Sequence, residues 1–149
     1  MPFSGYYNVN IRFDPITQRT GKPTELISSI TDQKGGDPIR EFELVYDKIT
    51  HVIIVGEDLS YFAHIHPTIR DGDNDDTTFT IPHTFPKSGK YKLWVDFKPK
   101  GGSQTLAAFK FNVTGQPVHR PQELVYDDKY TRESFDGQYR ITLKVQDKL

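Results

Sequence analysis

The most constraining feature of this sequence is its punctuation: short runs of β-branched and aromatic residues, each closed by Gly, Pro or Asp before it can grow into a long element. Tyr7 to Phe13 alternates and is closed by Asp14-Pro15 and Gly21-Lys22-Pro23. Glu25 to Thr31 runs to Gly35-Gly36-Asp37-Pro38, and a run near Phe42 to Tyr46 follows. His51 to Val55 is strongly apolar, breaks at Gly56-Glu57-Asp58-Leu59-Ser60, and is followed by Tyr61 to His66, stopped by Pro67. Thr77 to Ile81, Lys90 to Phe97 and Thr105 to Val113 complete the series. About eight strands at turn spacings of about ten residues predict an all-β, immunoglobulin-like β-sandwich of about seven to eight strands over residues 6–115.

Composition supports the same class. Val, Ile and Thr number 35 and aromatics 19, whereas Ala, the best helix former, numbers 3, so a long helix is hard to place anywhere in the 149 residues. A formal charge of −1 gives no electrostatic reason to expect a nucleic acid as partner. No apolar run approaches the ~20 residues of a membrane-spanning helix. The opening Met1-Pro2-Phe3-Ser4-Gly5 lacks the basic and apolar regions of a signal peptide, so an export signal is expected to have been removed or never to have existed. With no cysteine, disulfides, thiolate metal sites and cysteine nucleophiles are all excluded. Methionine occurs only at Met1, which leaves no thioether-rich site of the kind that favours reduced copper.

A sandwich over residues 6–115 leaves a tail. Residues 116–121 read as a stiff linker, and two strand-like stretches follow near Glu123 to Tyr126 and Tyr139 to Val145. The segment Thr20 to Asp32 resembles Asp136 to Asp147, which suggests tandem copies of one domain. Residues 122–149 are then a hairpin that begins a second repeat and is cut off. The alternative is that edge hairpins of β-proteins simply look alike. If the repeat is real, the hairpin must pair with its own first domain or with another chain.

The chemistry lies in the histidines. Three of the five, His51, His64 and His66, fall within sixteen residues. Residues two apart on a strand share a face, so His64 and His66 project together while Ile65 faces the other way. A hairpin centred near Asp58 brings His51 opposite residues 64–66. Directly opposed β-carbons are about 5 Å apart, close enough for imidazoles to share one ion at ~2 Å each. A one-residue slip in register would send His51 to the opposite face. Imidazoles suit Cu²⁺ or Zn²⁺. A fourth position falls to water or to a neighbouring side chain, with Asp96, His83 and Glu57 as candidates; His119, in the linker, reads as solvated.

Other signals point elsewhere. Asp71-Gly72-Asp73-Asn74-Asp75-Asp76 departs from an EF-hand loop, which needs Gly where Asp76 stands and Glu where Pro82 stands, so it reads as a solvated acidic hairpin tip. Asp58, Ser60 and His64 supply the residue types of a nucleophilic triad, but a serine in a hairpin turn is a turn former and no nucleophile elbow surrounds it. No GxGxxG or Walker-type loop occurs.

The stretch His51 to Pro67, with its D-L-S-x-F-x-H-x-H-P pattern, followed by Phe85 to Phe97, resembles bacterial cell-envelope proteins of the YtkA-like type. The resemblance covers roughly residues 6–114. It implies an immunoglobulin- or cupredoxin-like domain, exported or lipid-anchored, sometimes duplicated and associated with copper handling. By position it implies His51, His64 and His66 as ligands, with Asp96 in the matching aromatic-x-Asp-Phe strand. The expected function is non-catalytic metal storage, delivery or sensing in the cell envelope, with a metal ion as partner and a second copy or an envelope protein as a further one. The alternative is a tandem immunoglobulin-like interaction or adhesion module that holds no metal.

Overall fold

The computed structural model of the chain describes residues 6–71, 77–115, 131–135 and 138–144. The expected linker at 116–121, the strand near Glu123 to Tyr126 and the acidic tip at 72–76 lie outside them. The chain divides into two units, Met1–His119 and Arg120–Leu149.

The first unit is a β-sandwich. One antiparallel sheet has the order β1-β2-β7-β6, from Tyr7–Asp14, Pro23–Asp32, Thr77–Thr84 and Thr68–Asp71. In the other, β8 (Gly89–Pro99) is flanked on one side by β9 (Thr105–Val113) and on the other by β4 (Thr50–Gly56) and the short β3 (Phe42–Glu43); β5 (Phe62–Ile65) forms the edge beyond β4. The inward residues of the two sheets meet in one core: Val9, Leu26, Ile30, Phe79 and Ile81 from the first, Val52, Ile54, Leu93, Val95, Phe97 and Ala107 from the second. Strand β8 shows why the sequence folds this way: Tyr91, Leu93, Val95 and Phe97 are buried, while Lys92, Trp94, Asp96 and Lys98 point away from the core at the intervening positions.

Two boundaries differ from expectation, and each has a local reason. Strand β7 continues through Pro82 to Thr84, because β6 pairs only with Thr77–Thr80 and beyond that point β7 is an edge, where a residue without an N–H is tolerated. Pro67 does not end the strand region; it marks the crossing from β5 in one sheet to β6 in the other, a strand the sequence reading did not contain. The unit therefore has nine strands among its described residues.

In the second unit, β10 (Thr131–Phe135) pairs antiparallel with β11 (Arg140–Lys144). Strand β11 falls within the expected Tyr139 to Val145 stretch. No helix among the described residues is long and apolar enough to cross a membrane.

Candidate metal centre

The site is built on the outer face of the β9-β8-β4-β5 sheet. In β4, Thr50, Val52 and Ile54 turn inward, which places His51, Ile53 and Val55 on the outer face. The β4–β5 register pairs Ile53 with His64 and Val52 with Ile65, so continuing it one step sets His66, just beyond the strand, opposite His51. The turn that fixes this register is held by the Leu59 N–H donating to the Gly56 carbonyl at 2.9 Å. Asp58 adds to it by accepting from the Ser60 N–H at 3.0 Å and the Ser60 hydroxyl at 2.7 Å. Those two hydrogen bonds hold the Asp58 carboxyl below its usual range.

The three rings converge. His51 Nδ1 lies 3.0 Å from His64 Nε2 and 3.1 Å from His66 Nε2. One ring nitrogen from each of the three lies within 4.8 Å of the others, a group able to hold a metal ion. His51 is buried, whereas His64 and His66 are exposed. An ion about 2.0–2.1 Å from two nitrogens, at bond angles between square and tetrahedral, sets those nitrogens about 2.9–3.4 Å apart, which matches the two short separations.

The far side of His51 decides its tautomer. Its Nε2 lies 2.8 Å from the Val45 carbonyl oxygen, which only accepts, so the neutral ring carries its proton on Nε2 and presents a bare lone pair at Nδ1. That single lone pair faces two nitrogens at once, and two N–H groups cannot both donate to it with good geometry. A cation satisfies three lone pairs together, and a ligating histidine commonly donates its other N–H to a backbone carbonyl. The Val45 carbonyl sits in a tight turn, with the Val45 N–H donating to Lys48 at 2.7 Å, and the exposed Tyr46 stands in this turn at φ 60° with its ring edge against His51. Sequence reasoning placed residues up to Tyr46 in a strand and missed this turn; Asp47-Lys48 after Tyr46 was the available signal.

His66 is held below the ordinary imidazole range, first by loss of solvent around the ring and then by the neighbouring His51 and His64; Asp47 pulls weakly the other way. The effect keeps the ring neutral, the form that ligates.

The other candidates stand apart from this group. Asp96 is directly opposite His51 on β8, but its carboxylate oxygens accept from the Gln104 amide at 3.0 and 2.9 Å. His83 lies on β7, in the opposite sheet, with Nε2 2.9 Å from the Tyr61 hydroxyl; burial lowers the His83 pKa and raises that of Tyr61. Glu57 pairs with Lys90 of the neighbouring strand β8 at 3.7 Å. Ser60 is bound to Asp58 and to the Lys87 ammonium, as expected of a turn residue.

Comparison with known proteins adds a family. No curated protein matches the chain. Among solved structures the chain is similar to the soluble domain of PmoD from Methylocystis sp., at 20% identity and a TM-score of 0.42, over 76% of this chain and 97% of that one. The family model described as a domain of unknown function, DUF8832, matches residues 4–115, and the chain belongs to that family.

Proposed function

We propose that the chain is a non-catalytic domain of the bacterial cell envelope that binds Cu²⁺ or Zn²⁺ through His51, His64 and His66, for storage, delivery or sensing of the metal. The observation that carries this reading is the bare Nδ1 lone pair of His51, set by the Val45 carbonyl and aimed at two further imidazole nitrogens at 3.0 and 3.1 Å. A binding rather than catalytic role is supported by the engagement of Asp96 with Gln104 and of Glu57 with Lys90, which leaves neither placed as a base beside the ion. Placement in the envelope rests on the resemblance of the His51 to Pro67 stretch to YtkA-like proteins and is part of the proposal.

The test is mass spectrometry of the chain under non-denaturing conditions, after chelator treatment and after addition of one equivalent of CuSO₄ or ZnCl₂. One ion per chain is expected at neutral pH. Failure of the untreated and the metal-supplied chain alike to carry an ion would overturn the reading, in favour of an interaction module.

Two further outcomes follow from the same site. Metal affinity should fall as pH drops below about 6.5, because protonated imidazole has no lone pair to give. The sign for stability is the same. His66 has a folded pKa below its unfolded value, so the unfolded chain binds more protons in that interval. The contribution is therefore present above the unfolded pKa and lost as pH falls through it toward the folded value. Titration of Zn²⁺ at pH 7.5 and pH 5.5 checks the first, and denaturation midpoints of the metal-free chain check the second.

The single tryptophan reports on metal identity. Trp94 pairs with Ile53, which pairs with His64, so the indole lies one strand from His51 and two from His64 on the same face, within about 10 Å. Open-shell Cu²⁺ is expected to quench Trp94 emission stoichiometrically, whereas closed-shell Zn²⁺ leaves its intensity nearly unchanged. Equal effects of the two ions would remove Cu²⁺ from the proposed site.

A further inference from the structure

The outer face that carries the histidines also holds, toward its other end, a groove of about 530 Å³. Its base follows from register: Val55, Lys92 and Lys110 form one row across β4, β8 and β9. Trp94 stands two residues along β8 on one side, and the Lys90–Asn112 pair forms the row on the other. The Gly56–Leu59 turn makes the rim. That rim is preformed, because the Asp58–Ser60 hydrogen bonds and the Lys87 ammonium, 3.0 Å from the Ser60 hydroxyl, hold the turn. The same turn keeps Leu59 at φ 59°, a conformation that branched side chains rarely adopt, with the side chain 83% exposed.

Charge distinguishes this groove from an ordinary wet surface. Lys92 and Lys110 are directly opposed across β8 and β9, an arrangement that repels. Among the described residues neither has a carboxylate partner; the Lys92 ammonium rests 4.7 Å over the Trp94 ring instead. Lys90 is the lysine of the groove that is paired, with Glu57. A like-charged pair beside the apolar Val55 of the base and Leu59 of the rim is relieved by an anion whose body is apolar.

We propose that this groove binds a small organic anion of the aromatic carboxylate class, with the carboxylate between Lys92 and Lys110 and the flat body against Val55 and Leu59. The volume is in the range of small-ligand sites, about 300–1,000 Å³. The proposal is independent of the histidine centre, so its test uses the full chain in the presence of chelator. The probe is 2-naphthoate, followed by ¹H–¹⁵N NMR, with the neutral 2-naphthalenemethanol as a control of the same shape. Saturable shifts are expected at Val55, Lys92, the Trp94 indole and Lys110. Affinity for 2-naphthoate should fall at least about tenfold in the Lys92→Glu/Lys110→Glu variant and remain unchanged in Lys22→Glu, and the neutral control should bind at least about tenfold more weakly. The single Lys110→Gln change, at an exposed position, keeps the test available if the double variant does not fold; a several-fold loss is expected. Absence of saturable shifts, equal binding of the neutral compound, or unchanged affinity in the lysine variants would each overturn the proposal.

Discussion

His51→Ala is expected to abolish metal uptake and to destabilise the metal-free fold together, whereas His64→Ala is expected to cost metal alone. The difference follows from burial. His51 is 7% exposed and its Nε2 donates to the Val45 carbonyl, so alanine leaves that acceptor without its partner and opens space beneath the 45–48 turn. A buried hydrogen-bonding group left unpaired costs about 1–3 kcal/mol. His64 is exposed, and removing its ring leaves no buried acceptor behind. For the metal, loss of any one of three imidazoles should weaken binding by more than about 100-fold, because even an outer partner of a ligand is worth about 10–100-fold. Metal titrations and denaturant midpoints on both variants separate the two effects. Retention of wild-type affinity in either variant would show that the three nitrogens do not act as a set.

The largest loss of stability is expected at Phe97. This ring is fully buried, meets Tyr7 edge-on at 6.0 Å and Phe42 at 6.3 Å, and sits on β8, the strand that supports β4 and hence His51. Phe97→Ala should cost about 3–5 kcal/mol, the transfer free energy of the ring plus the cavity it leaves. Phe62→Ala is the matched control: Phe62 is exposed on the outer face of β5, and its loss should change stability by no more than about 0.5 kcal/mol. Urea unfolding of the metal-free chain measures both, and a Phe97→Ala cost below about 1 kcal/mol would contradict the core described above.

Particular residues show how much was legible beforehand. That His64 and His66 share a face is a consequence of strand parity alone. Their convergence with His51 was legible because a short turn relates two adjacent strands, and the turn chemistry of Gly56 to Ser60 was plain in the residues. Asp96 was less legible: it shares the outer face with His51, as the aromatic-x-Asp-Phe pattern suggested, yet its carboxylate is taken by Gln104 from the neighbouring loop. Side-chain competition of that kind has no period to read. His83 was illegible for a larger reason, since the partition of strands between two sheets is set by which hydrophobic faces meet, and that puts β7 in the sheet opposite β4.

Sequence alone determined the all-β class, most strand positions and the sharing of one face by the paired histidines, because alternation, turn residues and β-branching act within a few residues of chain. Tertiary structure decided what lies against the backs of those residues: the Val45 carbonyl that orients His51, the row that opposes Lys92 to Lys110, and the separation of His83 from the site. These are encounters between segments distant in the chain or joined by irregular turns. They are fixed by how two sheets bury a common core rather than by any local preference.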